Sequence, residues 1–132
     1  MANEVEQLEA GLPQDEHRSG DGPSGPVTLG EGDFKYEVSG QNWGTLPDGW
    51  NYQEATSVAV DANDRIYVFN RGTSPMVVFD TDGNMVDNWG EGQFSNPHGV
   101  TVAPDGNLFT VDNGDGTIKK FTPSGELLMT LG

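Results

Sequence analysis

The chain has no cysteine, so it carries neither a disulfide framework nor a thiolate metal site. Basic residues are almost as scarce: 6 Lys and Arg stand against 21 Asp and Glu, a formal charge of −15 over 132 residues. A negative field of that strength repels phosphate backbones, so no nucleic-acid partner is expected. Long apolar runs are missing too. Nothing approaches the roughly 20 consecutive apolar residues of a membrane span. The N-terminus lacks the basic-then-apolar layout of a secretory leader, so the expected setting is aqueous and cytoplasmic. A short amphipathic helix around Val5 to Leu12 would end early at Gly11 and Pro13, and from Phe34 onward nothing reads as a helix. What the chain does have in quantity is turn chemistry, with 19 glycines and 8 prolines.

Residues 1–33 hold eight acidic residues and one arginine, a net charge of −7. They include the run Ser19-Gly20-Asp21-Gly22-Pro23-Ser24-Gly25-Pro26, which has no apolar periodicity. Such a composition buries too little apolar surface to offset the entropy of ordering the backbone, so a disordered acidic tail is expected there. His17 lies in it without a neighbouring ligand type.

From Phe34 onward, short β-branched and aromatic runs alternate with Gly, Asp, Asn and Pro turns. Strands are expected at Phe34–Val38, Ser57–Val60, Ile66–Phe69, Met76–Phe79 and Asn84–Trp89. Four more are expected at Gly99–Val102, Leu108–Val111, Thr117–Phe121 and Glu126–Thr130. Between them stand Asp80-Thr81-Asp82-Gly83, Ala103-Pro104-Asp105-Gly106 and Thr122-Pro123-Ser124-Gly125, each with a final glycine where a tight turn needs φ > 0. This spacing reads as antiparallel all-β.

The chain also repeats itself. Residues 56–90 and 98–132 align without a gap at an offset of 42. Val58, Val60, Gly72, Phe79, Gly83 and Gly90 recur as Val100, Val102, Gly114, Phe121, Gly125 and Gly132. A unit of roughly 40–45 residues with four short strands has the size of a β-propeller blade. Phe34–Gly44 holds one strand and ends in Trp43-Gly44, as the fourth strand of the next unit ends in Trp89-Gly90. The expected organisation is therefore an acidic tail over 1–33 and a partial propeller over 34–132. Within the propeller, an orphan strand spans 34–44, a first blade about 56–90 and a second about 98–132.

The run from Ser57-Val58-Ala59-Val60-Asp61 through Asn70-Arg71-Gly72 to Trp89-Gly90 resembles an NHL repeat. The further motif Asn96-Pro97-His98-Gly99 resembles the peptidyl-α-hydroxyglycine α-amidating lyase branch of six-bladed NHL propellers, the peptidylamidoglycolate lyases. That resemblance implies cleavage of a peptidyl-α-hydroxyglycine to a peptide amide and glyoxylate at a zinc held by three histidines, with a structural calcium. By position it makes His98 a zinc ligand, Arg71 an active-site arginine, and Val58 and Val100 backbone-carbonyl ligands of calcium. The other two histidines, the catalytic tyrosine and a second arginine would lie in blades that these 132 residues do not contain. The isolated chain is then expected to be inactive unless it oligomerises.

The chemistry suits those residue types. Zinc accepts neutral imidazole and can lower the pKa of a bound hydroxyl, and arginine can grip a terminal carboxylate with two parallel hydrogen bonds. Plainer readings stand beside these. A histidine after proline can simply close the loop entering an inner strand, and Arg71 can be a solvated loop charge. The acidic runs at 80–83 and 112–116 lack the downstream glutamate of a calcium loop and read as turns. Two partners are open: a peptide substrate, or a protein bound by a non-enzymatic NHL scaffold. A homotrimer is also conceivable, closing a six-bladed ring in which one chain's N-terminal strand completes a neighbour and three copies of His98 meet on the axis.

Overall fold

A computed structural model of the chain describes residues 27–38, 40 and 43–132. Most of the acidic tail expected over 1–33 lies outside the described residues. The described residues are all-β, with ten strands in three antiparallel sheets and no helix. The chain divides into a unit up to Asn42 and a second from Trp43 to Gly132.

In the first unit, β1 (Thr28–Glu31) and β2 (Phe34–Glu37) form a hairpin. Gly32 opens its two-residue loop at φ 59, the conformation a type II′ turn needs at that position. This corrects the expected organisation at its N-terminal end. A strand occupies residues 28–31, inside the span read as tail, and Phe34–Glu37 pairs with it rather than standing alone. The period-2 alternation at 34–37 was legible, but its partner was hidden in a Gly-rich run with little apolar signal.

The second unit is two copies of one four-stranded meander. Blade 1 runs β3 (Ala55–Val60), β4 (Ile66–Asn70), β5 (Met76–Phe79) and β6 (Met85–Trp89). Blade 2 runs β7 (Pro97–Val102), β8 (Leu108–Asp112), β9 (Thr117–Phe121) and β10 (Leu127–Leu131). Neighbours in sequence are neighbours in each sheet. The offset of 42 holds down to irregularities: bulges fall between Ala55 and Ser57 and between Pro97 and Gly99. Turn hydrogen bonds repeat likewise, with Asp61 N–H to Arg65 O at 3.0 Å and Ala103 N–H to Asn107 O at 2.8 Å.

The blades stack face to face and splay apart. Inner strands β3 and β7 come closest, whereas the outer strands β6 and β10 make no backbone approach. Tyr67, Phe69, Met76 and Val78 on one face of blade 1 are fully buried with Leu108 of blade 2, and Trp89, Phe94, Val100 and Val102 pack around them. Both faces of such a sheet want apolar residues, which is why β4 and β5 read as continuous runs rather than strict alternation.

A tryptophan latch closes each blade. Trp89 packs on Phe121 at 5.1 Å between ring centroids, and its Nε1–H donates to Pro123 O at 3.2 Å. Trp43 does the same on blade 1, 5.4 Å from Phe79, with Nε1–H donating to Thr81 O at 3.1 Å. The turn glycine beneath each ring is a spatial requirement, since a Cβ on Gly125 would lie 2.6 Å from Trp89. Trp43 therefore has the role on blade 1 that Trp89 has on blade 2, as the matching Trp-Gly pairs suggested.

Candidate functional site

The two inner strands bring the predicted residues to one junction. Ser57 Oγ on β3 accepts a hydrogen bond from Val100 N–H on β7 at 3.1 Å. Val58 is 61% exposed on β3, and Val100 is half-buried on β7. Arg71 follows β4. Its main-chain N–H donates to Glu54 O at 3.0 Å, and its guanidinium pairs with the Glu54 carboxylate. The Arg71 Nε–H then reaches across the blades to Pro97 O at 3.2 Å. This places Arg71 against the peptide preceding His98, so two residues 27 apart in sequence share one end of the junction. His98 itself is exposed.

These positions do not by themselves make a metal centre. Among the described residues, no group of three His, Cys, Asp or Glu side chains comes together. A zinc site needs at least three protein ligands, and His98 supplies one. Calcium takes about six to eight oxygens, and the carbonyls of Val58 and Val100 leave most of that shell unfilled. Arg71 is also not a free clamp. Its partnership with Glu54 would compete with any incoming carboxylate.

The junction's strongest electrostatic feature escaped the sequence reading. Asp112, at the end of β8, is 1% exposed. Its carboxylate accepts N–H groups from Ser95 at 2.6 Å, Asn96 at 2.8 Å and Gly114 at 2.9 Å. Burial pushes its pKa up, but those three donors outweigh it and hold the pKa below the usual carboxylate value. Asp112 therefore clasps the segment that carries the chain from blade 1 into blade 2. Asn70 is its counterpart in blade 1, equally buried. The Asn70 Nδ2 donates to Ser74 O at 2.9 Å and Pro75 O at 3.0 Å, while Oδ1 accepts from Gly72 N–H at 2.8 Å. The offset of 42 pairs these two residues and was the available signal. Reading 112–116 as a turn concealed it.

The other acidic runs are turn-formers. Asp80 Oδ1 accepts from Asp82 N–H at 3.0 Å and Asn84 N–H at 2.9 Å. Asp115 Oδ1 accepts from Thr117 N–H at 3.1 Å and from the Thr117 hydroxyl at 2.6 Å. Tyr67 sits wholly in the core, its hydroxyl donating to Asp61 Oδ2 at 3.1 Å. Burial and that hydrogen bond push its pKa up to about 12, which makes it a poor base.

A second candidate site is a cavity of about 280 Å³ in blade 1. Its walls include Trp50, Asn51, Tyr52, Asn70, Thr73 and Val77. Burial raises the pKa of the Tyr52 phenol, so the ring is neutral at ordinary pH.

Residues 94–121 match the NHL repeat. The matched segment runs from Phe94, through β7 and β8, to the end of β9 at Phe121. At the offset of 42, the NHL segment has its blade-1 counterpart in residues 52–79. The repeat and the two stacked four-stranded sheets together make this an NHL-type β-propeller architecture. No curated protein matches the chain. Among the described residues, no helix is long and apolar enough to cross a membrane.

Proposed function

We propose that this chain is a protein-interaction scaffold of NHL type that engages its partner by sheet stacking. One observation carries the reading. The face of blade 1 that blade 2 covers has a repeat-equivalent face on blade 2, and that face is open. Phe69 and Met76, each 0% exposed, correspond to Val111 and Ile118, which are 40% and 42% exposed. Trp89 corresponds to Leu131, which is 52% exposed. The registers Phe69 with Met76 and Val111 with Ile118 put each pair on one face of its sheet. Val111, Ile118 and Leu131 form an exposed apolar patch, bordered on the same face by Lys120, whose ammonium lies over the Phe109 ring, and such a patch marks an interaction surface. The covering surface within the molecule is itself a four-stranded sheet, which makes the fitting partner a sheet of the same type, on a second copy or on another protein.

Light scattering across a concentration series tests this. Mass should rise with concentration or with added partner, and Ile118→Glu should abolish the rise without unfolding the chain. An unchanged monomer that also ignores candidate partners overturns the reading. The exchange of an N-terminal strand between copies has no vacancy to fill in blade 2, where β10 already holds the fourth place.

A second reading keeps the carbon–nitrogen lyase chemistry, on the observation that Arg71 Nε meets the carbonyl beside His98. It requires zinc ligands beyond those in the described residues. Zinc content, together with glyoxylate release from a hydroxyglycine peptide, separates the two. Absence of both from the assembled protein leaves the scaffold.

A further inference from the structure

The two blades differ most at one point of the shared template. In blade 2, Lys119 projects from β9 and its ammonium has three partners. Lys119 Nζ donates to Gln93 O at 2.9 Å and to Asp115 Oδ2 at 2.9 Å, and it lies 5.4 Å from the centroid of the Phe94 ring. At the offset of 42, Lys119 becomes Val77, Gln93 becomes Asn51, Asp115 becomes Thr73 and Phe94 becomes Tyr52. The strand register agrees, since Val77 pairs with Val68 as Lys119 pairs with Thr110. All four of these blade-1 residues line the 280 Å³ cavity. Where blade 2 supplies its own alkylammonium group, blade 1 has a short, buried valine beside a cavity.

We propose that this cavity binds an alkylammonium group from outside, such as the lysine side chain of a partner protein. Val77, 1% exposed, lies at the apolar base of the cavity. The Tyr52 ring, with Trp50 beside it in the wall, offers π-faces to the cation, and amide and hydroxyl oxygens of Asn51 and Thr73 can accept its protons. The chain's charge of −15 draws cations toward it, and the lining holds no basic side chain to repel them. A carboxylate or phosphate would find no cationic partner among the cavity's lining side chains. This site lies on the blade-1 face that bears Val77, not on the open face of blade 2, although a second copy that stacks in the same way would cover it.

The test is an amide-shift titration by NMR of the whole chain with three probes. These are Nα-acetyl-lysine methylamide, its uncharged norleucine analogue, and n-butylammonium. Saturable shifts centred on Asn51, Tyr52 and Thr73 are expected with the lysine probe and with butylammonium, and none with norleucine. Butylammonium binding without lysine-probe binding would assign the site to free amines. Thr73→Asp, at an exposed position, restores the carboxylate of blade 2 and should tighten binding about tenfold. Trp50→Ala should weaken it about fivefold. Val77→Lys combined with Thr73→Asp, which rebuilds the Lys119–Asp115 pair of blade 2, should abolish it. Equal binding of norleucine, shifts spread over the acidic surface, or indifference to both Thr73→Asp and Trp50→Ala would each overturn the proposal. Light scattering on the same samples reports the stacking interaction independently.

Discussion

Blades 1 and 2 share strand order, bulges, turn hydrogen bonds and the tryptophan latch, yet they solve the same structural problem with different chemistry. At the clasp, blade 1 uses a neutral amide, Asn70, that reaches two carbonyls within its own hairpin. Blade 2 uses a charged carboxylate, Asp112, that reaches back to the segment entering from blade 1. On the side of the stem, blade 2 fills its interior with Lys119 while blade 1 leaves a cavity. Backbone geometry in this fold is therefore set by positions common to both units. The side chains that differ decide whether a blade is closed upon itself or open to something else.

The sharpest way to break this comparison is to remove the clasps. Asp112→Ala would strand three N–H groups in a buried site and should cost about 4 kcal/mol in chemical denaturation. Asn70→Ala removes three bonds of a neutral amide, and Pro75 O keeps the main-chain N–H of residue 70, so it should cost about 2 kcal/mol. Equal losses would mean that the charge adds nothing. The sign of the pH effect follows from the depressed folded-state pKa of Asp112. Its stabilisation is full above the unfolded carboxylate value of about 4 and fades as pH falls through the lower folded value. Asp112→Asn should therefore flatten the stability-against-pH curve below about pH 4.

The latch tests the comparison at a smaller scale. Trp89 is half-buried between the blades, whereas Trp43 remains 43% exposed. Trp89→Ala should cost about 3 kcal/mol and Trp43→Ala about 1.5 kcal/mol, both measured by denaturation. A reversed order would show that the N-terminal latch holds blade 1 more firmly than the packing suggests.

The smallest expected effect lies at the first hairpin of each blade. Gly106 sits at φ 82, and its repeat-equivalent Asp64 adopts φ 60. A Cβ on Gly106 would meet nothing within 4 Å, so Gly106→Ala costs only the left-handed backbone, about 1 kcal/mol. Asp64→Gly relieves that same conformation and should shift stability by under about 0.5 kcal/mol, because aspartate already tolerates it. Thermal unfolding of the two variants side by side measures the difference.

Much of the fold was legible before any coordinates. The nine strands read from Phe34 onward coincide with β2–β10 to within a residue or two at their ends. Short apolar runs cut by Asp-Gly and Pro-Ser-Gly turns leave few other ways to satisfy the backbone. β1 was not legible, because Thr28-Leu29-Gly30-Glu31 carries one large apolar residue and sits beside a Gly/Pro run. The candidate site was legible only in part. The motif around His98 and Arg71 pointed to the junction, but not to the Glu54 pairing that engages the guanidinium. Asp112 was read only as part of the turn over 112–116, and the cavity beside Val77 belongs to no local motif. Each becomes visible only when one repeat is laid on the other.

The sequence by itself determined the repeat unit, its four-strand meander and the tight turns, because apolar spacing and turn glycines act over a few residues. Tertiary structure decided which sheet face is buried and which is open, that Asp112 holds the inter-blade segment, and that Val77 leaves room where Lys119 fills it. Those outcomes depend on groups far apart in sequence meeting in a low-dielectric interior. There an unpaired N–H or an unfilled volume has an energy that no local pattern records.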